Sequence, residues 1–161
     1  MRPPREDAVA IVTGGSSRTG REVARGLATW GWAIVVVYLE HQPRAEATVA
    51  EILAAQGRTV AVRADLADEL DVERLFAESI MAFGGVDVVV HTTADSPALL
   101  LRHAARDVRE RGAIVSVDAG GQMTPRVARR FRERGITVGR APPGAMLSFL
   151  DQWRRCATGL L

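Results

Sequence analysis

Short apolar runs alternate with amphipathic segments along the whole chain. Ala8–Thr13, Ala33–Tyr38, Thr59–Arg63, Val86–His91, Ala113–Asp118 and Ile136–Arg140 are rich in β-branched residues and mostly apolar from end to end. Runs of this kind predict strands covered on both faces. Between them, apolar residues return every three or four positions. Val23, Leu27 and Ala28 form one such stripe, Val49, Ile52 and Leu53 a second, and Val72, Leu75, Phe76 and Ile80 a third. That is the period of a helix with one buried face. Ser96-Pro97 and Thr124-Pro125 announce two further helices, each with an N-cap hydroxyl before a proline at the first helical position. Gly31, Gly57, Gly84-Gly85, Gly112 and Gly135 stand where a helix should end and a strand begin, which suits C-terminal caps. The order predicts an α/β fold: a Rossmann-like, doubly wound parallel sheet of about six strands between two helical layers, with right-handed crossovers.

One junction carries chemistry. The run Val9 to Thr13 enters a Gly/Ser loop, and the loop opens an amphipathic helix. Loop amides and a helix N-terminus then converge on one point, which is how a chain builds a pocket for a pyrophosphate. Composition adds bounds. A chain of 161 residues is the size of one domain, expected here over residues 1–161 with its core at about 8–144. The hydrophobic fraction of 47% and charged fraction of 25% are ordinary for a globular protein. The net charge is only +2, so the basic pI of about 9.4 is no nucleic-acid signature. Cys156 is the single cysteine, which leaves no disulfide framework and no thiolate metal site. No run is long enough for a membrane span, and MRPPRED has no apolar signal core. The expectation is therefore a cytoplasmic protein without a membrane or nucleic-acid partner.

Thr13-Gly14-Gly15-Ser16-Ser17-Arg18-Thr19-Gly20 resembles the T-G-x-x-x-G-x-G loop of the short-chain dehydrogenase/reductase family. Further landmarks follow in the same order. Asp65-Leu66 resembles the family's acidic residue beside adenine, and Phe83 to Val90 its lead into the fourth strand. Gly112 to Val117 resembles the fifth strand, and Gly135 to Val138 with Pro143-Gly144 the sixth strand and its turn. The resemblance is close from about residue 8 to 92 and patchy to 144. It implies a nicotinamide dinucleotide as cofactor and a small carbonyl or hydroxyl substrate. The cofactor contacts it implies are Thr13, Gly14, Ser16, Ser17, Arg18, Thr19, Gly20, Tyr38, Asp65, Leu66 and Thr92. Arg18 stands where the family has a glycine. Its guanidinium either crowds the pyrophosphate or folds out and pairs with it. Tyr38 stands where members that prefer NAD carry an acid, although Glu40 is near. Arg18 and Arg44 are available for a 2′-phosphate, so NADP is expected ahead of NAD.

The family's catalytic group is missing. A tyrosine with its ordinary pKa of about 10 is a poor proton donor at neutral pH, so the family pairs it with a lysine. This chain has no lysine and no asparagine, and Tyr38, its one tyrosine, belongs to the adenosine end of the pocket. The family's serine position reads Asp118-Ala119, and its asparagine loop reads His91-Thr92-Thr93-Ala94. His91, Asp95 and Asp118 all fall at C-terminal strand ends, where ligands sit in such sheets. His91 with Asp118 is accordingly the candidate acid/base pair, against the plainer alternative of a loop-capping histidine and a turn-forming aspartate. His103 is expected on a helix surface and His41 in a loop. No spacing suggests a metal. The arginine-rich stretch Arg126 to Arg134 reads as a solvated helix face. Leu101, Ala104, Ala105 and Val108 offer an apolar face for a homodimer or higher oligomer. Three functions stay open: an oxidoreductase of non-standard mechanism; a non-redox protein on the same scaffold, such as a cofactor sensor, cyclase or lyase; and an inactive partner of a longer relative.

Overall fold

The computed structural model describes residues 7–117 and 123–158. Six strands form one parallel sheet: β1 (Val9–Val12), β2 (Ala33–Tyr38), β3 (Arg58–Arg63), β4 (Val86–His91), β5 (Val108–Ser116) and β6 (Thr137–Arg140). Their spatial order is β3-β2-β1-β4-β5-β6, and every pairing is parallel. Six helices connect or follow them: α1 (Arg18–Ala28), α2 (Gln42–Ala54), α3 (Glu69–Phe83), α4 (Ala98–Asp107), α5 (Pro125–Glu133) and α6 (Met146–Thr158). This is the doubly wound parallel sheet of six strands expected from the alternation.

Side-chain alternation along the strands divides the core in two. Val9, Ile11, Val35, Val37, Val89 and Ile114 point to one face. There they meet Leu75 and Phe76 of α3, Leu100 and Leu101 of α4, and Phe131 of α5. Ala10, Val12, Ile34, Val36, Val88 and Val90 point to the other, against Val23 and Leu27 of α1, Ile52 of α2, and Met146 and Leu150 of α6. Both faces of the central strands are thus dry, which is why their sequences are apolar throughout.

Several local expectations are corrected. β5 begins at Val108, not Ala113, so Gly112 lies inside a strand and caps no helix. Val86 pairs with Val108 and Val88 with Ala113, so β5 holds extra residues across that step, with Arg111 at φ 63°. Gly112 permits the close passage: a Cβ there would lie 2.3 Å from the Asp87 carbonyl oxygen. After α2 the left-handed residue is Gln56 rather than Gly57. Helix α4 starts at Ala98, one residue beyond the expected proline, and Pro97 occupies the N-cap without a side-chain bond. Thr124, by contrast, caps α5 as expected through the Val127 amide. Leu53 and Ile80 are exposed, and Thr48 and Ser79 take the buried places on those helices. Leu101, Ala104, Ala105 and Val108 are consumed by the chain's own core and present no apolar face outward. No helix among the described residues is long and apolar enough to cross a membrane.

Candidate dinucleotide site

The C-terminal ends of β1, β2 and β4 converge on the loop from Thr13 to Ser17. Three sets of bonds hold its shape. Gly15 N–H donates to the Val37 carbonyl at 2.8 Å, tying the loop to β2. The Thr92 hydroxyl donates to the Thr13 carbonyl at 2.8 Å, and the Thr92 amide donates to Thr13 Oγ1 at 3.1 Å, tying it to the end of β4. Ser17 caps α1: its Oγ accepts from the Gly20 amide at 3.1 Å and donates to the Gly14 carbonyl at 2.7 Å. The glycines are required by this closeness. Gly14 has φ +65°, and a Cβ on Gly20 would stand 2.0 Å from the Gly14 oxygen.

This bonding leaves donors over. The amides of Ser16, Arg18 and Thr19 have no hydrogen-bond partner among the described residues. They sit at the loop and first turn of α1, where the helix dipole adds positive potential. Arg18 does not crowd them. Its side chain is 91% exposed and runs along α1 to Glu22, 3.0 Å away. Thr19 and Gly20 complete the turn, half-buried and buried respectively.

Beside the loop lies a cleft of about 240 Å³. Thr13, Gly14, Ser16, Tyr38 and Leu66 line it, as do Glu40 and Thr93. Asp65 stands at its margin and is tied to its own turn: Oδ1 accepts from the Ala67 amide at 2.9 Å, and the Asp65 amide donates to Asp71 Oδ2 at 2.8 Å. That amide and Arg74 together hold the Asp71 carboxyl below its ordinary range. Val37, Leu39 and Ala64 also line the cleft. Sequence reasoning passed over them because strand ends look alike until register fixes which side chain faces the opening.

His91 is not in that opening. It is buried, with Nδ1 3.0 Å from Thr13 Oγ1 and Nε2 3.0 Å from the Asp95 carbonyl oxygen. A carbonyl only accepts, so Nε2 carries the proton. Nδ1 then accepts from the Thr13 hydroxyl, which itself accepts from the Thr92 amide. The result is a satisfied chain, Thr92 to Thr13 to His91 to Asp95, running behind the loop. Asp118 lies outside the described residues. His41 is exposed at the N-cap of α2, as expected. His103 is buried, contrary to the expectation of a surface position. It stacks on Phe76 and pairs with Glu69 at 2.8 Å. Burial, and then the nearby Arg106 and Arg102, lower its pKa.

The model of the short chain dehydrogenases matches residues 8–106. A 3-oxoacyl-[acyl-carrier-protein] reductase of Synechocystis is 37% identical over 100 residues, covering 62% of this chain and 40% of that protein. FabG of Staphylococcus aureus, another 3-oxoacyl-[acyl-carrier-protein] reductase, is 28% identical over 183 aligned positions, covering 86% of this chain and 74% of its own. Among solved structures, a short chain dehydrogenase from Burkholderia cenocepacia in complex with NADP superimposes with a TM-score of 0.72 at 27% identity, covering 88% of this chain and 75% of that one. The chain thus spans less than half of the Synechocystis relative. The match nonetheless takes in β1 to β4 and nearly all of α4, with the loop and the cleft just described, and the chain belongs to the short-chain dehydrogenase/reductase family.

Proposed function

We propose that the chain binds a nicotinamide dinucleotide at the Thr13–Gly20 loop and acts as an oxidoreductase on a small carbonyl or hydroxyl compound, with a proton-handling group other than the family's. The free amides of Ser16, Arg18 and Thr19 at the head of α1 carry the reading. They belong to the loop and first turn of one helix, with no partner among the described residues, and a pyrophosphate satisfies donors so placed. The cleft lined by Tyr38, Glu40 and Leu66 takes the adenosine end. NADP is favoured over NAD by Arg44. It lines the groove beside Ser16 and Ser17 and has no carboxylate partner among the described residues, whereas Arg21 and Arg25 share Glu51. Once bound, such a cofactor supplies the hydride chemistry, and the protein has to orient it and manage a proton.

In this reading His91 works from behind. Its ring holds the turn from Thr92 to Asp95 against the loop, so Thr93 and Asp95 form the wall of the cleft. Of the His91 and Asp118 pair read from the sequence, the His91 ring is engaged by Thr13 and Asp95, and Asp118, outside the described residues, is the member proposed to meet the proton. The test is the loss of NADPH absorbance with a panel of ketones and aldehydes, run on the parent and on Asp118→Asn. Turnover reduced by about 10²–10⁴ in the variant, with binding intact, supports the assignment. Full turnover in the variant contradicts it.

A second reading is favoured by one observation: the chain lacks lysine entirely, and Tyr38 lines the adenosine cleft. On that reading the scaffold retains dinucleotide binding for sensing or for non-redox catalysis. Tight binding with no oxidation of NADPH by any carbonyl tested would favour it.

A further inference from the structure

Three successive carbonyls of the loop from Thr13 to Ser17 each accept a side-chain hydroxyl. Thr92, after β4, donates to the Thr13 oxygen at 2.8 Å, and Ser17, at the head of α1, to the Gly14 oxygen at 2.7 Å. Thr48 of α2 donates to the Gly15 oxygen at 3.3 Å. Thr48 is fully buried, between Ala45 and Ile52 on the inner face of its helix. Its hydroxyl also lies 3.2 Å from the Arg44 carbonyl, one turn back. That oxygen already serves the hydrogen-bond ladder of α2. The Gly15 oxygen accepts from no backbone amide among the described residues, so the Thr48 hydroxyl is what satisfies it.

We propose that Thr48 is a positioning residue for dinucleotide binding: by holding the Gly15 carbonyl against α2, it turns the Ser16 amide outward as a donor to the pyrophosphate. This role rests on the dinucleotide reading of the loop and adds α2 to the elements that shape it. A trans peptide sets the C=O of one residue and the N–H of the next in opposite directions. Holding the Gly15 oxygen toward Thr48 therefore points the Ser16 N–H away from α2, and that amide is one of the three without a partner among the described residues. With the same peptide unit rotated, a negative oxygen would stand where the donor does and repel a phosphate. Glycine at position 15 makes the restraint necessary, because a glycine backbone resists such a rotation least. The preceding peptide unit is held by the Gly15 amide on the Val37 carbonyl at 2.8 Å. The following unit depends on Thr48.

Calorimetric titration of NADPH and NADH into the full chain tests it, with Thr48→Val, Thr48→Ser and Thr59→Val each compared below its melting midpoint. The pyrophosphate is common to both nucleotides, so Thr48→Val weakens both by about tenfold and keeps their ratio. Should the valine variant fail to fold, Thr48→Ala, with no γ-atom near the two carbonyls, takes its place. Thr48→Ser restores the hydroxyl and binds within about twofold of the parent. Thr59 is the control for stability alone: it is buried and donates to the Ile34 carbonyl at 2.8 Å, in the N-terminal half of β2 and away from the loop. Thr59→Val melts lower than the parent and binds both nucleotides as the parent does. Parental affinity in a folded variant without the Thr48 hydroxyl overturns the proposal. So does an equal loss in Thr59→Val, which assigns the effect to stability, or a serine variant as weak as the valine one. A parent that binds neither nucleotide fails earlier, at the dinucleotide reading itself, and overturns the positioning role with it.

Discussion

Replacing Thr13 with valine isolates the hydrogen-bonded chain behind the loop, because the side chain keeps its shape and loses only its hydroxyl. That hydroxyl serves two partners, the Thr92 amide at 3.1 Å and His91 Nδ1 at 3.0 Å. Thr13 and His91 are both buried, so no water replaces the lost bond to the ring. An orphaned buried polar group costs about 1–3 kcal/mol. Thr92 is half-buried, so its amide falls at the low end and the ring nitrogen nearer the middle. The sum is about 2–3 kcal/mol. For a chain of this size that lowers the melting temperature by roughly 4–12 °C. Urea unfolding followed by circular dichroism measures it, with an unchanged m-value as the sign that compactness is unaltered. Thr13→Ser keeps the hydroxyl and should recover most of the loss. A valine variant within about 0.5 kcal/mol of the parent would refute the claim that this chain braces the site.

His103 gives a pH prediction. Its pKa is lowered in the folded protein from an ordinary value near 6.5, so the unfolded chain binds the proton more readily. The contribution to stability is complete above about pH 6.5 and is lost as pH falls toward the lower folded value. His103→Phe should flatten that part of the profile of urea midpoint against pH, and an identical slope in both proteins would count against it. Gly20→Ala places a Cβ 2.0 Å from the Gly14 oxygen, a backbone contact that cannot yield by a side-chain turn. It should cost about 1–3 kcal/mol in thermal unfolding, and an unshifted melt would show that the loop opens freely.

The architecture was legible because the central strands are buried on both faces. Val9 and Ile11 face α3 and α4 while Ala10 and Val12 face α1, so neither parity needs a polar residue. The loop was legible because its glycines answer to close backbone contacts that recur wherever a strand turns into a helix over a phosphate. β5 was misjudged at its start because Arg109-Glu110-Arg111 is polar. The structure shows why: at the N-terminal end of β5, Arg109 reaches back to Asp87 at 2.9 Å and to the Gly84 carbonyl at 3.0 Å. His103 was misjudged because its partner Glu69 lies 34 residues away, and no local pattern joins them. His91 fell at the expected strand end. Its direction, behind the loop and not into the cleft, depends on Thr13 and Asp95 together, which a single-strand reading does not see.

The central claim is that the free amides at the head of α1 hold the phosphates of a dinucleotide. Calorimetric titration of NADPH and NADH into the parent and into Ser16→Asp tests it most directly. Ser16 is half-buried and lines both the cleft and the groove beside the loop, so a carboxylate there repels a phosphate held at the loop. The account predicts saturable binding to the parent, tighter for NADPH, and loss of binding in a variant that melts no lower than the parent. No heat with either nucleotide, or equal affinity in the folded variant, would contradict it.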